Sequence, residues 1–304
     1  MPQSANDPLE FTGERYTPEC VREIHYEHVH RYAVAARWVA GKSVLDAACG
    51  EGYGAALLAR SARAVTGVDI SAEAIGHASK RYRAPGLSFG VADCSRLPFA
   101  AGQFDCVVSF ETLEHLEPQE QMLREFRRVL TDDGFLLISS PDKAVYTDRL
   151  HNRNAFHRRE LYRPELEALL AREFPAVRLL GQKLAFHSMI WPLQPPAAAT
   201  LRMQQEQADG VIDQPLPAMQ AVYLLALCAA RQEHLPALDA GLWLFDDAGE
   251  TVYQHYQHEI RKNMAAGALL AARDEEIQAL QHALQGAPAR VPAASGWRRW
   301  FGIR

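Results

Sequence analysis

The stretch SVLDAACGEGYGAALLA, residues 43–59, limits more than any other what this chain can fold into. An apolar run of strand character passes through Gly50, Gly52 and Gly54 into an alanine-rich run of helical character. Alternate glycines after a strand allow a tight backbone turn. The same rhythm continues downstream. The residue pattern predicts strands over 43–48, 64–69, 87–92, 104–110 and 134–140, and helices over 53–61, 72–83, 118–130 and 164–173. DDGF, residues 132–135, reads as a helix stop and turn before the last of these strands. Strands alternating with helices imply right-handed crossovers, hence an α/β fold with a mostly parallel sheet flanked by helices. Residues 21–40 add an amphipathic helix ahead of the sheet. Residues 174–191 offer a further strand or pair, and 221–230 a last core strand.

The turn raises the question of its ligand. Gly50, Gly52 and Ala55 satisfy the spacing of a dinucleotide fingerprint, in which glycines let a pyrophosphate approach the backbone. Asp46 argues otherwise. At the carboxyl end of its strand it is expected in the pocket mouth, where it would repel a pyrophosphate and attract an ammonium and a sulfonium. S-adenosylmethionine carries both, and its carboxylate can still take N–H groups from the turn. Asp69, ending VTGVD, can accept both ribose hydroxyls. Asp93, following the third strand, can accept from an adenine amino group. Phe110 and Glu111 end the fourth strand at the switch point, where open sheets bind ligands.

The motifs LDAACGEGYG, VDIS, ADCSRLPF and FDCVVSFETLEHL, in this order over roughly 43–140, resemble the class I S-adenosylmethionine-dependent methyltransferases. The resemblance implies a Rossmann-like fold with a seven-stranded sheet whose last strand is antiparallel, here followed by a C-terminal helix. It implies S-adenosylmethionine as cofactor, with S-adenosylhomocysteine as product, held by Tyr16, Asp46, Ala48, Gly50, Gly52, Asp69, Ile70, Asp93, Cys94, Phe110 and Glu111. EFTGERYTPE near the start and NAFHRREL after the fifth strand are similar to bacterial methyltransferases of surface-polysaccharide and glycan assembly. That narrower likeness implies O-methylation of a sugar hydroxyl. A small-molecule acceptor such as a quinone, lipid or natural product is the rival within the enzyme class, and a non-catalytic assembly protein on the same fold the rival outside it.

Methylating a hydroxyl requires its proton to leave, and histidine suits that work near neutral pH. His115, after the fourth strand, and His157, in the polar 141–162 segment, are the competing bases. Asn152, Asn154 and Glu160 can hydrogen-bond a polyhydroxylated acceptor. HYEHVH, with His25, His28 and His30, has no further ligand cluster at suitable spacing, so no metal is expected. Arg15 and Tyr16 are expected to close over the cofactor or acceptor.

The resulting plan has four parts. Residues 1–42 cover the site, 43–255 form the methyltransferase domain with a polar lid at 141–162, 256–285 form a helix with one side of a short coiled coil, and 286–304 form a basic aromatic tail. That tail, with Arg298, Arg299, Trp297, Trp300 and Phe301, suits docking to an anionic membrane face or a partner protein. The oligomeric state stays open. The net charge of -5 excludes a whole-chain nucleic-acid footprint. Five cysteines without a C-x-x-C pair read as reduced, buried thiols in a cytoplasmic protein.

Overall fold

The computed structural model describes residues 23–185, 203–207, 210–214, 219–238 and 241–286. Contacts divide the chain after Ala248 into two units, each described by itself. In the first, helix α1 (Glu23–Trp38) precedes the alternation β1 (Ser43–Ala47), α2 (Tyr53–Leu58), β2 (Ala64–Asp69), α3 (Ala72–Arg81), β3 (Leu87–Val91), β4 (Phe104–Ser109), α4 (Gln119–Val129), β5 (Leu130–Pro141), α5 (Arg163–Ala171) and β6 (Ala176–Gln182). A hairpin, β7 (Met203–Gln207) and β8 (Gly210–Gln214), and then β9 (Tyr223–Ala229) follow.

The seven-stranded sheet has the order β3-β2-β1-β4-β5-β9-β6. Pairs from β3 through to β5 are parallel; β9 runs antiparallel to both β5 and β6. The antiparallel strand is thus the last in sequence but the second from the edge. Strands β1 and β4 lie side by side although two strands intervene in sequence, so the strand order reverses there and their carboxyl ends open a crevice.

Central strands are mostly apolar because helices cover both faces. Phe126, Leu123, Met122, Leu166 and Leu170 cover one face of the sheet. Tyr32, Ala35, Val39, Ala55 and Leu58 cover the other. The DDGF expectation changes in detail. Leu130 already pairs with Phe104, and the register resumes only at Phe135 opposite Cys106. Residues 131–134 therefore stand off as a bulge within the strand, with Asp132 and Asp133 exposed.

Local signals account for several helix starts. Ser71 Oγ accepts from the N–H of Ala74 at 3.2 Å and caps α3. Glu165 accepts from the N–H of Tyr162 at 3.0 Å at the start of α5, where Pro164 sits in the first turn.

The second unit contains α6 (Thr251–Gly286). Its apolar residues Ile260, Met264, Leu270, Ile277, Leu280 and Leu284 are exposed. No helix among the described residues is long and apolar enough to cross a membrane. Tyr16, Arg15 and the 287–304 tail lie outside the described residues.

Candidate active site

A cavity of about 420 Å³ opens over the carboxyl ends of β1, β2 and β4. Ala48, Gly50, Asp69, Ile70, Asp93 and Cys94 line it on one side. Phe110, Glu111, His115, Asn154 and His157 line it on the other. The sequence-predicted residues Asp46, Gly52, Asn152 and Glu160 are not in its lining.

Packing within the protein calls for glycine at two positions after β1, Gly52 and Gly54. Ala48 has φ 60°, Gly50 φ 56° and Gly52 φ 93°. A Cβ on Gly52 would lie 2.8 Å from Ala78 Cβ and 2.9 Å from the Phe89 ring; one on Gly54 would lie 2.1 Å from the Tyr32 ring. Cys49 N–H donates to Val68 O, Gly50 N–H to Asp69 Oδ2 and Gly52 N–H to Cys49 O. These three donors have protein acceptors, where the sequence suggested turn N–H groups for a ligand carboxylate.

Asp46 is likewise placed differently from expectation. It is completely buried beneath the cavity, not at its mouth, and accepts a hydrogen bond from Tyr32 Oη at 3.0 Å. Burial first, and the nearby Asp69 charge after it, push its carboxyl up to about 7. A raised carboxyl keeps its proton in the fold at a pH where the unfolded chain has lost it. Its contribution is therefore greatest below the ordinary value of 3.8 and fades as pH rises towards about 7. Between pH 5 and 8 the wild type should lose on the order of 2 kcal/mol of stability through this group. Urea unfolding of Asp46→Asn should show a flatter pH dependence, and an unchanged slope would assign the effect elsewhere.

Asp69 meets its expectation in position. It ends β2, lines the cavity and is held from two sides, Gly50 N–H donating to Oδ2 at 3.0 Å and Ser71 N–H to Oδ1 at 2.9 Å. Asp93 is exposed at the same rim, its Oδ1 accepting from the N–H and hydroxyl of Ser95. Cys94 is buried, and burial pushes its thiol up to about 12. The four cysteines among the described residues are buried and unbridged.

On the opposite side, Glu111 has φ 51°, a left-handed conformation that costs a non-glycine residue energy. Its N–H donates to Ser139 Oγ at 3.0 Å, and that hydroxyl donates back to Glu111 Oε1 at 2.6 Å. A short 3₁₀ turn, Leu113–His115, follows. Residues 156–160 are stitched onto it: the N–H groups of Arg158 and Arg159 donate to Glu114 O, and buried Gln119 bridges Leu113 O and Arg159 O. This stitching brings His157 against His115, with ring centroids 4.9 Å apart. His115 Nδ1 donates to Phe156 O at 3.2 Å, and His157 Nδ1 to Glu160 Oε1 at 2.5 Å. Glu160 also accepts from Thr147 Oγ1, so it stands behind His157 rather than in the cavity.

The structure also brings in Tyr32, Tyr146, Tyr223 and Glu114, which the sequence reading passed over, and His28, which it had weighed only as a metal ligand; all line the cavity. Glu114 is fully buried, and burial holds its carboxyl well above the usual range. Its sequence signal was a carboxylate between Leu113 and His115, just after the fourth strand. The histidines of HYEHVH disperse around α1: His28 faces the cavity, burial lowering its pKa well below the ordinary value, while His30 stacks on Phe245.

Comparison with known proteins follows this geometry. Residues 45–138 match the model of a family described as "Methyltransferase domain". The chain is 38% identical over 165 residues to a probable S-adenosylmethionine-dependent methyltransferase of Mycolicibacterium smegmatis, covering 53% of this chain and 63% of that protein. It is 39% identical over 139 residues to a fatty-acid O-methyltransferase of the same organism, covering 42% and 50%. It is 33% identical over 178 residues to phthiotriol/phenolphthiotriol dimycocerosates methyltransferase 1 of Mycobacterium ulcerans, covering 57% and 62%. The chain thus spans at most 63% of the length of these relatives. The matched segment 45–138 contains the glycine turn, Asp69, Asp93 and His115, and over it the chain is similar to that family.

Proposed function

We propose that the protein is an S-adenosylmethionine-dependent O-methyltransferase acting on a hydroxylated acceptor, a sugar hydroxyl of a glycan or glycan precursor. One observation carries this reading: a single cavity joins the anchored carboxylate of Asp69 to the His115–His157 pair. Asp69 and Asp93 suit the hydroxyls and amino group of an adenosine, with Ile70 and Phe110 offering apolar cover. His115, His157, Tyr146 and Asn154 suit an acceptor rich in hydroxyls.

Held by Asp69, Asp93, Ile70 and Phe110, S-adenosylmethionine would supply an electrophilic methyl group to the acceptor oxygen and leave as S-adenosylhomocysteine, the acceptor proton passing to an imidazole or to solvent. The His115–His157 pair, with Glu160 fixing one ring, assists loss of that proton. Holding both reactants in line supplies much of the rate.

The names of two relatives favour a second reading, an apolar lipid acceptor. Labelled S-adenosylmethionine, incubated separately with cell-envelope glycan and lipid extracts, distinguishes them by where the label appears. Cofactor binding with no transfer into either extract would favour the non-catalytic reading. Calorimetry tests the cofactor itself: wild type should bind S-adenosylmethionine and S-adenosylhomocysteine. Asp69→Ala should bind both more weakly by about 2 kcal/mol, roughly 30-fold, for lost hydrogen bonds to a charged acceptor. No binding by the wild type would end the proposal.

A further inference from the structure

We propose that Glu114, His115 and His157 form a binding site for one divalent first-row transition-metal ion at the acceptor side of the cavity.

Three observations support it. One donor atom from each of these residues lies within 4.8 Å of the other two, and among the described residues no other group of three is arranged this way. Neither carboxylate oxygen of Glu114 has a hydrogen-bond partner among the described residues, although the side chain is wholly buried. A buried polar group left without a partner calls for an explanation, and an ion is one of the few available. Third, both imidazoles are oriented as metal ligands are. Histidine ligands characteristically donate their second ring N–H to a backbone carbonyl or a carboxylate. His115 does so to Phe156 O and His157 to Glu160 Oε1. A proton on Nδ1 puts the lone pair of each ring on Nε2.

Distances agree with a shared ion. His115 Nε2 and Glu114 Oε1 are 4.0 Å apart, too far for a direct hydrogen bond. Two donors on one tetrahedral ion, each at about 2.1 Å, lie about 3.4 Å apart. Donor atoms within 4.8 Å of one another therefore have to close by up to about 1.4 Å on binding. One carboxylate with two imidazoles suits zinc, cobalt, iron or manganese, and three protein ligands leave coordination positions open towards the cavity.

The ion's role rests on the methyltransferase reading. There it would hold the acceptor hydroxyl and make its proton easier to release to solvent, the imidazoles serving as ligands instead of taking that proton themselves.

The test is titration of the untagged, chelator-treated chain with Co(II), followed by visible absorption and calorimetry. Wild type should bind one equivalent with the absorption of a low-symmetry nitrogen–oxygen site. Glu114→Gln, His115→Ala and His157→Ala should each weaken binding at least about tenfold, while His282→Ala, on the exposed surface of α6, should leave it unchanged. Circular dichroism confirms folding; should Glu114→Gln not fold, the two histidine variants and the wild-type stoichiometry decide. No site-like absorption with the wild type, or equal weakening in His282→Ala, would overturn the inference. S-adenosylmethionine binding is measured in parallel. Cofactor bound without cobalt sinks this inference alone, and cobalt bound without cofactor sinks the methyltransferase reading alone.

Discussion

The double variant His115→Ala/His157→Ala should transfer methyl groups about 10²–10⁴-fold more slowly than wild type, the range over which positioned proton transfer acts. Its affinity for S-adenosylmethionine should be unchanged, because Asp69 and Asp93 lie on the other side of the cavity. The two rings meet edge to face at 4.9 Å and are held by separate acceptors, so either alone keeps part of the arrangement. Each single variant should therefore fall between wild type and the double variant, and their effects should not add. Single-turnover rates with the labelled acceptor provide the measurement. Full turnover by the double variant would remove the pair from the mechanism, whether it acts as base or as ligand.

Gly54→Ala should be strongly destabilising, its Cβ meeting the shortest contact of any described glycine. Its new methyl would lie 2.1–2.5 Å from three atoms of the Tyr32 ring, so the ring must move. Tyr32 is buried, packs edge-on to Phe110 and Tyr53, and donates the hydrogen bond that partners Asp46. Overpacking of this kind costs about 1–3 kcal/mol. Stranding the Asp46 hydrogen bond adds about 1–3 kcal/mol more. Denaturant unfolding should thus show a loss of roughly 2–6 kcal/mol, a large part of a typical domain's stability. Tyr32→Phe provides the comparison, since it removes the hydroxyl and keeps the ring. If Gly54→Ala were no worse than Tyr32→Phe, the packing explanation would fail.

Much of the fold was legible because the strands are buried on both faces. A strand such as FDCVVS is apolar at Phe104, Cys106, Val107 and Val108, and the helices between strands carry caps or amphipathic patterns, so neighbouring segments contrast sharply. The bulge at 131–134 was harder to see, since Asp132, Asp133 and Gly134 look the same in a loop and in an exposed excursion from a strand. That Asp69, Asp93, Phe110, Glu111 and His115 line one cavity was legible because each stands at or just after the carboxyl end of a strand, and a parallel sheet gathers those ends together. Asp46 was misjudged by one layer. Its place in the sequence put it near the carboxyl end of β1, but only packing by α1 shows that Tyr32 covers it.

By itself, the sequence determined the α/β alternation, the crevice at the strand ends and the carboxylates that rim it. These follow from local periodicity and from the handedness of crossovers. Only the tertiary structure decided what lies against what. Gly52 and Gly54 of the turn answer to Ala78, Phe89 and Tyr32, contacts made by segments distant in sequence. His157 reaches His115 across a separation of 42 positions because Gln119 and the carbonyl of Glu114 hold the loop there. Backbone hydrogen bonds of that kind leave no residue pattern to read, so the grouping of Glu114, His115 and His157 exists only in three dimensions.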